Sequence, residues 1–134
     1  MDLAPRAIEK AKAKAAERHS RAEFKVADAT DLQSLGRSFD LALDCGLFHV
    51  LSDHERTRYV KSLHSAIRPG GRYFMLCLSD HEPDWGGPRR VTKQEILDSF
   101  SRGWRVESIR PSKLEAYAGG AGAEGWFCRI LKDG

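Results

Sequence analysis

The sequence predicts an α/β protein whose sheet is mostly parallel and ends in a C-terminal antiparallel hairpin. Three observations carry this. The runs FDLALDCG (39–46) and GRYFMLCLS (71–79) are apolar at nearly every position, the pattern of strands covered on both faces. Stretches of helical spacing with N-terminal caps alternate with those runs. The chain then closes on two further strand-like runs around the glycine-rich stretch AGGAGAEG.

The elements follow in order. Pro5 suits the first turn of a helix, and PRAIEKAKAKAAERH continues with strong helix formers and a narrow apolar face of Ile8, Ala11 and Ala15. AEFKVAD (22–28) reads as a short strand, ended by the polar turn ADATDL. FDLALDCG is the next strand. Ser52 and Glu55 then make a capping box, opening a helix whose Tyr59, Leu63, Ala66 and Ile67 share one face. RPGG (68–71) ends that helix, and the strand 71–79 leads into the polar loop SDHEPDWGGPRRV. Thr92 and Glu95 repeat the capping box for a helix expected to run to Gly103. WRVESIRPSKLEAY and EGWFCRILK are the last two strands, with Trp104 and Trp126 expected in the core.

At 134 residues and 41% hydrophobic, the chain has the material for one domain with a real core. The net charge of +3 is mild, and the basic residues of the first helix alternate with Glu9 and Glu17, which describes a solvated helix face rather than a nucleic-acid surface. No apolar run approaches the roughly 20 residues of a membrane span, so a soluble, cytoplasmic protein without membrane or nucleic-acid partners is expected. Cys45, Cys77 and Cys128 lie far apart without metal-ligand spacing, and they read as buried thiols of a reducing compartment, with no metal site.

A buried strand has no packing reason to end in Asp44, Cys45 and Gly46, with His49 close behind. In parallel sheets ligands sit beyond the carboxyl ends of the strands. Asp2 with Leu3, ADATD, DCGLFH and SDHEPDW all fall at that edge, so the unusual polar residues of the chain gather where a ligand is expected.

DLAPRAIEKAKAKA, KVADATDL, SFDLALDCGLFHVL, HSAIRPGGRYFMLC and the closing helix and hairpin together resemble the second through last strands of a class I S-adenosylmethionine-dependent methyltransferase. Among these, the small-molecule enzymes related to the thiopurine group are most similar. The resemblance implies a Rossmann-like sheet with the strand order 3-2-1-4-5-7-6. It also implies an opening strand and a glycine-rich loop of the GxGxG kind, on the order of 30 residues or more with its helix. That unit does not precede Met1, so residues 1–134 are expected to form a partial, N-terminally truncated methyltransferase domain, inactive by itself. The edge of FDLALD would then be exposed and open to self-association.

The resemblance assigns roles residue by residue. Asp2, with Leu3 beside it, would accept hydrogen bonds from the cofactor's ribose hydroxyls. Asp28 would accept from the adenine amino group and the Ala29 N–H would reach a ring nitrogen. Asp44, Cys45 and Gly46 would form the wall beside the sulfonium, with Gly46 allowing close backbone approach and Cys45 serving as a small apolar side chain. His49 is the candidate general base and acceptor-site residue. His81, Trp85 and Arg89, or Arg90 in its place, would meet the acceptor from the 79–91 loop, by stacking and by holding an anionic group. Plain structural roles stand beside these: a helix N-terminal acid for Asp2, a turn aspartate for Asp28, a packed histidine for His49 and solvated side chains for the loop.

The expected activity is methyl transfer from S-adenosylmethionine to a small-molecule thiol, amine or hydroxyl by direct displacement. The alternative is a non-catalytic remnant that serves as an interaction module through its sheet edge. A nicotinamide-dependent oxidoreductase shares the layout, but no catalytic Lys/Tyr pair of that kind is evident.

Overall fold

The computed structural model describes residues 1–115 and 122–134. Helix α1 spans Pro5–Glu17 and buries Ile8, with Pro5 in its first turn as its missing N–H allows. A short 3-10 segment, Ala29–Leu35, precedes strand β1, Phe39–Cys45. A single 3-10 turn at Phe48–Val50 leads to α2, Asp53–Ala66, followed directly by β2, Ile67–Leu78. Helix α3 is Lys93–Ser99, and β3 (Trp104–Leu114) and β4 (Ala123–Lys132) complete the chain.

Both expected capping boxes form. The Ser52 hydroxyl accepts the Glu55 N–H while Glu55 accepts the Ser52 N–H, and Thr92 and Glu95 do the same for α3. Helix α3 is shorter than expected and stops at Ser99, where the chain turns to bury Phe100 against Tyr73 and Trp104.

The four strands lie in the order β1-β2-β4-β3. β1 and β2 are parallel; β2 with β4, and β4 with β3, are antiparallel. This mixed α/β sheet reproduces the 4-5-7-6 half of the order implied by the resemblance. The terminal hairpin pairs Leu114 with Ala123, while most of its glycine-rich connection lies outside the described residues. At RPGG the β1–β2 register jumps from Phe39↔Ile67 to Leu41↔Arg72, bulging four residues of β2 outward. Gly71 is required there, because a Cβ would stand 2.7 Å from the Asp40 carbonyl oxygen.

The core lies between one face of the sheet and helices α2 and α3. Tyr59 and Leu63 of α2 pack with Tyr73 and Met75 of β2 and with Trp104 and Trp126, all buried as expected of the two tryptophans. The opposite face of the sheet is far more open: Leu41 is 54% and Leu43 72% exposed.

That openness corrects two expectations. β1 is not covered on both faces: it is the sheet edge, and among the described residues nothing buries its outer side chains Leu41 and Leu43. Cys45, which shares that outer face, is exposed, whereas Cys77 and Cys128 are buried. AEFKVAD also forms no strand. It makes a single parallel bridge, Asp2↔Val26, through Asp2 N–H to the Lys25 carbonyl (3.2 Å) and Ala27 N–H to the Asp2 carbonyl (2.9 Å). A strand needs a partner for its backbone groups over several residues, and this segment has one for a single bridge.

Candidate functional site: a cleft at the carboxyl end of β1

The Asp2–Val26 bridge sets Asp2 and Leu3 beside the Asp28–Ala29 turn. The Asp2 Oδ1 accepts the Ala4 N–H at 2.9 Å, which turns the carboxylate toward the start of α1. Asp28 caps the 3-10 segment: its Oδ1 accepts the Thr30 N–H (2.8 Å) and the Thr30 hydroxyl (2.7 Å). These two bonds hold the Asp28 carboxyl below its ordinary range, so it stays an anion and an acceptor.

At the end of β1, Asp44 points into the core and is only 5% exposed. Its Oδ1 accepts the Leu47 N–H at 2.9 Å, and its Oδ2 accepts the hydroxyls of Tyr59 (3.0 Å) and Tyr73 (2.6 Å). Gly46 follows in the left-handed region at φ 88°, and its N–H donates to the Leu76 carbonyl at 2.9 Å.

These segments enclose a cleft of about 940 Å³, at the upper end of the roughly 300–1,000 Å³ usual for small-molecule sites. Asp2, Leu3, Asp28, Ala29, Asp44, Cys45 and Gly46 all line it, so the structure brings together every residue expected to hold a cofactor. Leu32, Leu47 and Leu51 add apolar wall, and Arg58 of α2 adds a positive charge. Two accessible carboxylates at one side, an apolar wall and a buried carboxylate behind a glycine turn suit a nucleoside that carries a positive charge.

His49 is not a lining residue of this cleft. It is fully buried in the turn after β1, and its Nδ1 accepts the Leu78 N–H at 2.9 Å. Burial lowers its pKa below the ordinary histidine value, with Arg56 and Arg90 acting in the same sense and Asp44 against it.

The acceptor-side expectations fall on a separate, self-closed loop. Ser79 and Val91 form a bridge at its neck. Arg90 donates to the carbonyls of Pro83 (2.6 Å), Gly86 (3.1 Å) and Pro88 (2.6 Å) and lies 4.7 Å over the Trp85 ring, so its guanidinium organises the loop. Trp85 is 45% exposed, and its indole N–H donates to Glu82 at 2.7 Å. Arg89 pairs with Asp53 at 2.8 Å and donates to the Leu51 carbonyl at 2.9 Å, which ties the loop to the cleft rim. The exposed His81 packs edge-on to Trp126 at 4.9 Å.

Sequence reasoning placed Tyr59 in the helix's apolar face and gave Tyr73 no role. The usable signal was the phenol itself, since a buried tyrosine hydroxyl needs a partner. Among the described residues, no group of acidic, histidine and cysteine side chains could hold a metal ion, and no helix is long and apolar enough to cross a membrane.

The mixed α/β sheet is a fold shared with solved structures of S-adenosylmethionine-dependent methyltransferases. The chain belongs to the methyltransferase domain family, whose model matches residues 1–71. It is 35% identical over 125 residues to a 2-heptyl-1-hydroxyquinolin-4(1H)-one methyltransferase of Mycobacteroides abscessus, covering 91% of this chain and 54% of that protein. The chain thus spans about half the length of the curated relative it matches. Among solved structures, one concerned with converting a disulfide bond into a thioacetal group during echinomycin biosynthesis superposes with a TM-score of 0.82 at 30% identity, covering 98% of this chain and 64% of that one. An N-methyltransferase of Bradyrhizobium japonicum, solved with S-adenosyl-L-homocysteine, superposes with a TM-score of 0.72 at 18% identity, covering 98% and 64%.

Proposed function

We propose that the β1 cleft binds S-adenosylmethionine and that the protein transfers its methyl group to a small-molecule acceptor. The observation that carries this reading is the convergence of Asp2, Leu3, Asp28, Ala29, Asp44, Cys45 and Gly46 on one cleft. Their chemistry fits the adenosyl and sulfonium portions of the cofactor. Asp2 has an oxygen beyond the one bonded to Ala4 to offer a ribose hydroxyl, and Asp28 and the Ala29 N–H offer an acceptor and a donor to an adenine edge. The turn at Cys45 and Gly46 brings backbone close to the cation. When bound, the cofactor supplies an electrophilic methyl carbon on sulfur. The protein's part is alignment and exclusion of water, and the apolar side chains of Leu32, Leu47 and Leu51 serve the second.

The acceptor in this reading is a small heterocyclic hydroxyl, amine or thiol, supported by the substrate that the name of the M. abscessus relative states. His49 does not act as its base in this reading. With Nδ1 accepting from Leu78, the neutral ring carries its proton on Nε2 and is a donor on that side. An acceptor oxygen or sulfur that ionises before transfer needs no base. Of these described loop residues, Arg89 alone is tied to the cleft rim, through the Leu51 carbonyl, and it reaches an anionic group of the acceptor by exchanging its exposed partner Asp53, while His81 and Trp85 do not line the cleft.

Calorimetric titration of the chain with S-adenosylmethionine tests the cofactor, and transfer of a labelled methyl group to a panel of heterocyclic hydroxyls, amines and thiols tests the acceptor. This reading expects one-to-one binding and a methylated heterocycle, in place of the inactivity that the resemblance implied for residues 1–134, because the residues for the adenosyl and sulfonium portions already converge on one cleft. Absence of binding would overturn the reading for this chain.

A further inference from the structure

Among the described residues Asp44, 5% exposed, is the one acid in a buried polar set that otherwise comprises His49, Arg56, Ser62, Ser79 and Lys132. Three donors and no acceptor face its carboxylate: the Leu47 N–H, the Tyr59 hydroxyl and the Tyr73 hydroxyl. The tyrosines come from different elements, α2 and β2, and their hydroxyls stand 3.2 Å apart with both aimed at the same oxygen. Tyr59 is 3% and Tyr73 0% exposed. Burial foremost raises both phenols above their ordinary range, so both stay protonated donors.

Burying two hydroxyls and an acid costs more than filling the same space with apolar side chains, so packing alone does not account for the cluster. Its other oxygen does local work. By accepting the Leu47 N–H, Oδ1 closes the turn over Cys45 and Gly46, the two cleft residues that follow Asp44.

We propose that Tyr59 and Tyr73 are positioning residues: acting through Asp44, they hold the Cys45–Gly46 turn against the cleft and keep a negative charge behind it that favours a cationic ligand over a neutral one. This rests on the cofactor reading above and deepens it, because S-adenosylmethionine is a sulfonium cation and its demethylated product S-adenosylhomocysteine has a neutral sulfur. The cluster therefore favours substrate over product at the cofactor site.

The test compares the affinities of the chain for S-adenosylmethionine and S-adenosylhomocysteine in the wild type, Asp44→Asn, Tyr59→Phe and Tyr73→Phe, with hydrogen exchange at the Leu47 amide as a readout that needs no ligand. Asp44→Asn should lower the preference for the sulfonium by roughly tenfold, and the two phenylalanine variants should lower it in the same direction by less. Leu47 exchange should speed up in all three while amides in the β2–β4 ladder stay protected. Equal loss of both ligands, or an unchanged preference in folded variants, overturns the electrostatic role. Unchanged Leu47 exchange overturns the positioning role. A wild type that binds neither nucleoside defeats the cofactor reading and the charge preference together, and Leu47 exchange still decides the positioning. If Asp44→Asn does not fold, the two phenylalanine variants, which retain the acid, carry the comparison.

Discussion

His49 accepts the backbone N–H of Leu78 through its Nδ1 atom at 2.9 Å, and this bond joins the turn after β1 to the last residue of β2. It requires the neutral ring. A protonated imidazole would set an Nδ1–H against the amide hydrogen, at a fully buried site.

The bond makes stability depend on pH. The His49 pKa is lowered in the folded state, chiefly by burial, so between that value and the unfolded value near 6.5 the unfolded chain binds more protons. Its stabilising effect is complete above about pH 6.5 and is lost as the pH falls toward the folded value, by at most about 1.4 kcal/mol per pH unit. His49→Asn keeps an acceptor near Leu78 and removes the titration. Urea unfolding from pH 5 to 8 should show a shallower slope for the variant, and methyl transfer to a pre-ionised acceptor should stay within about tenfold of wild type.

Asp2→Ala should weaken S-adenosylmethionine binding by about tenfold, the effect of removing a charged acceptor from a ribose hydroxyl. Calorimetry reads the change directly. The bridge to Val26 is made by backbone and is kept, and the side chain gives up an exposed bond to the Ala4 N–H before α1, so the melting temperature should move little. Unchanged affinity would remove Asp2 from the site.

Glu95 links the two helices of the core. It receives the guanidinium of the buried Arg56 at 2.8 Å, and Arg56 also donates to the Phe48 carbonyl and lies 4.3 Å over the Phe48 ring. Glu95→Ala leaves that cation without its partner and opens the α3 capping box. Because Glu95 is partly exposed, the cost should be about 2–3 kcal/mol, below the full penalty of a broken buried pair. Chemical denaturation measures it, and a double-mutant cycle with Arg56→Met should recover part of the loss.

The two sheet edges differ in chemistry. β3 carries Arg105, Arg110, Pro111 and Lys113, groups that discourage edge pairing, whereas β1 exposes Leu41 and Leu43. The chain should therefore self-associate through β1 in a concentration-dependent way. Sedimentation velocity should show the larger species in the wild type and its loss in Leu43→Lys, with the folded signal intact.

Much of this architecture was readable without coordinates. The pairs Ser52–Glu55 and Thr92–Glu95 cap their helices because the bonds close within four residues, a distance at which chain connectivity alone places the groups. Ile8, Ala11 and Ala15 share a helix face for the same local reason, with Ile8 buried and both alanines half-buried. The concentration of Asp2, Asp28, Asp44 and Gly46 at the carboxyl edge followed from strand direction, which the alternation of elements sets.

What the amino-acid sequence determined by itself was thus the caps, the helix faces, the order of the elements and the edge at which the candidate cofactor residues gather. The tertiary structure decided whatever depends on distant partners. AEFKVAD has a strand's composition but finds one bridge, since pairing is settled by a neighbour and not by the segment. Cys45 is exposed because its face of β1 has no cover, which no feature of FDLALDCG reports. Arg89 and Arg90 bond to carbonyls and to Asp53 through contacts created by the folded loop. Above all, Asp44 meets the hydroxyls of Tyr59 and Tyr73 from 15 and 29 residues away, and only folding brings such groups within hydrogen-bond range.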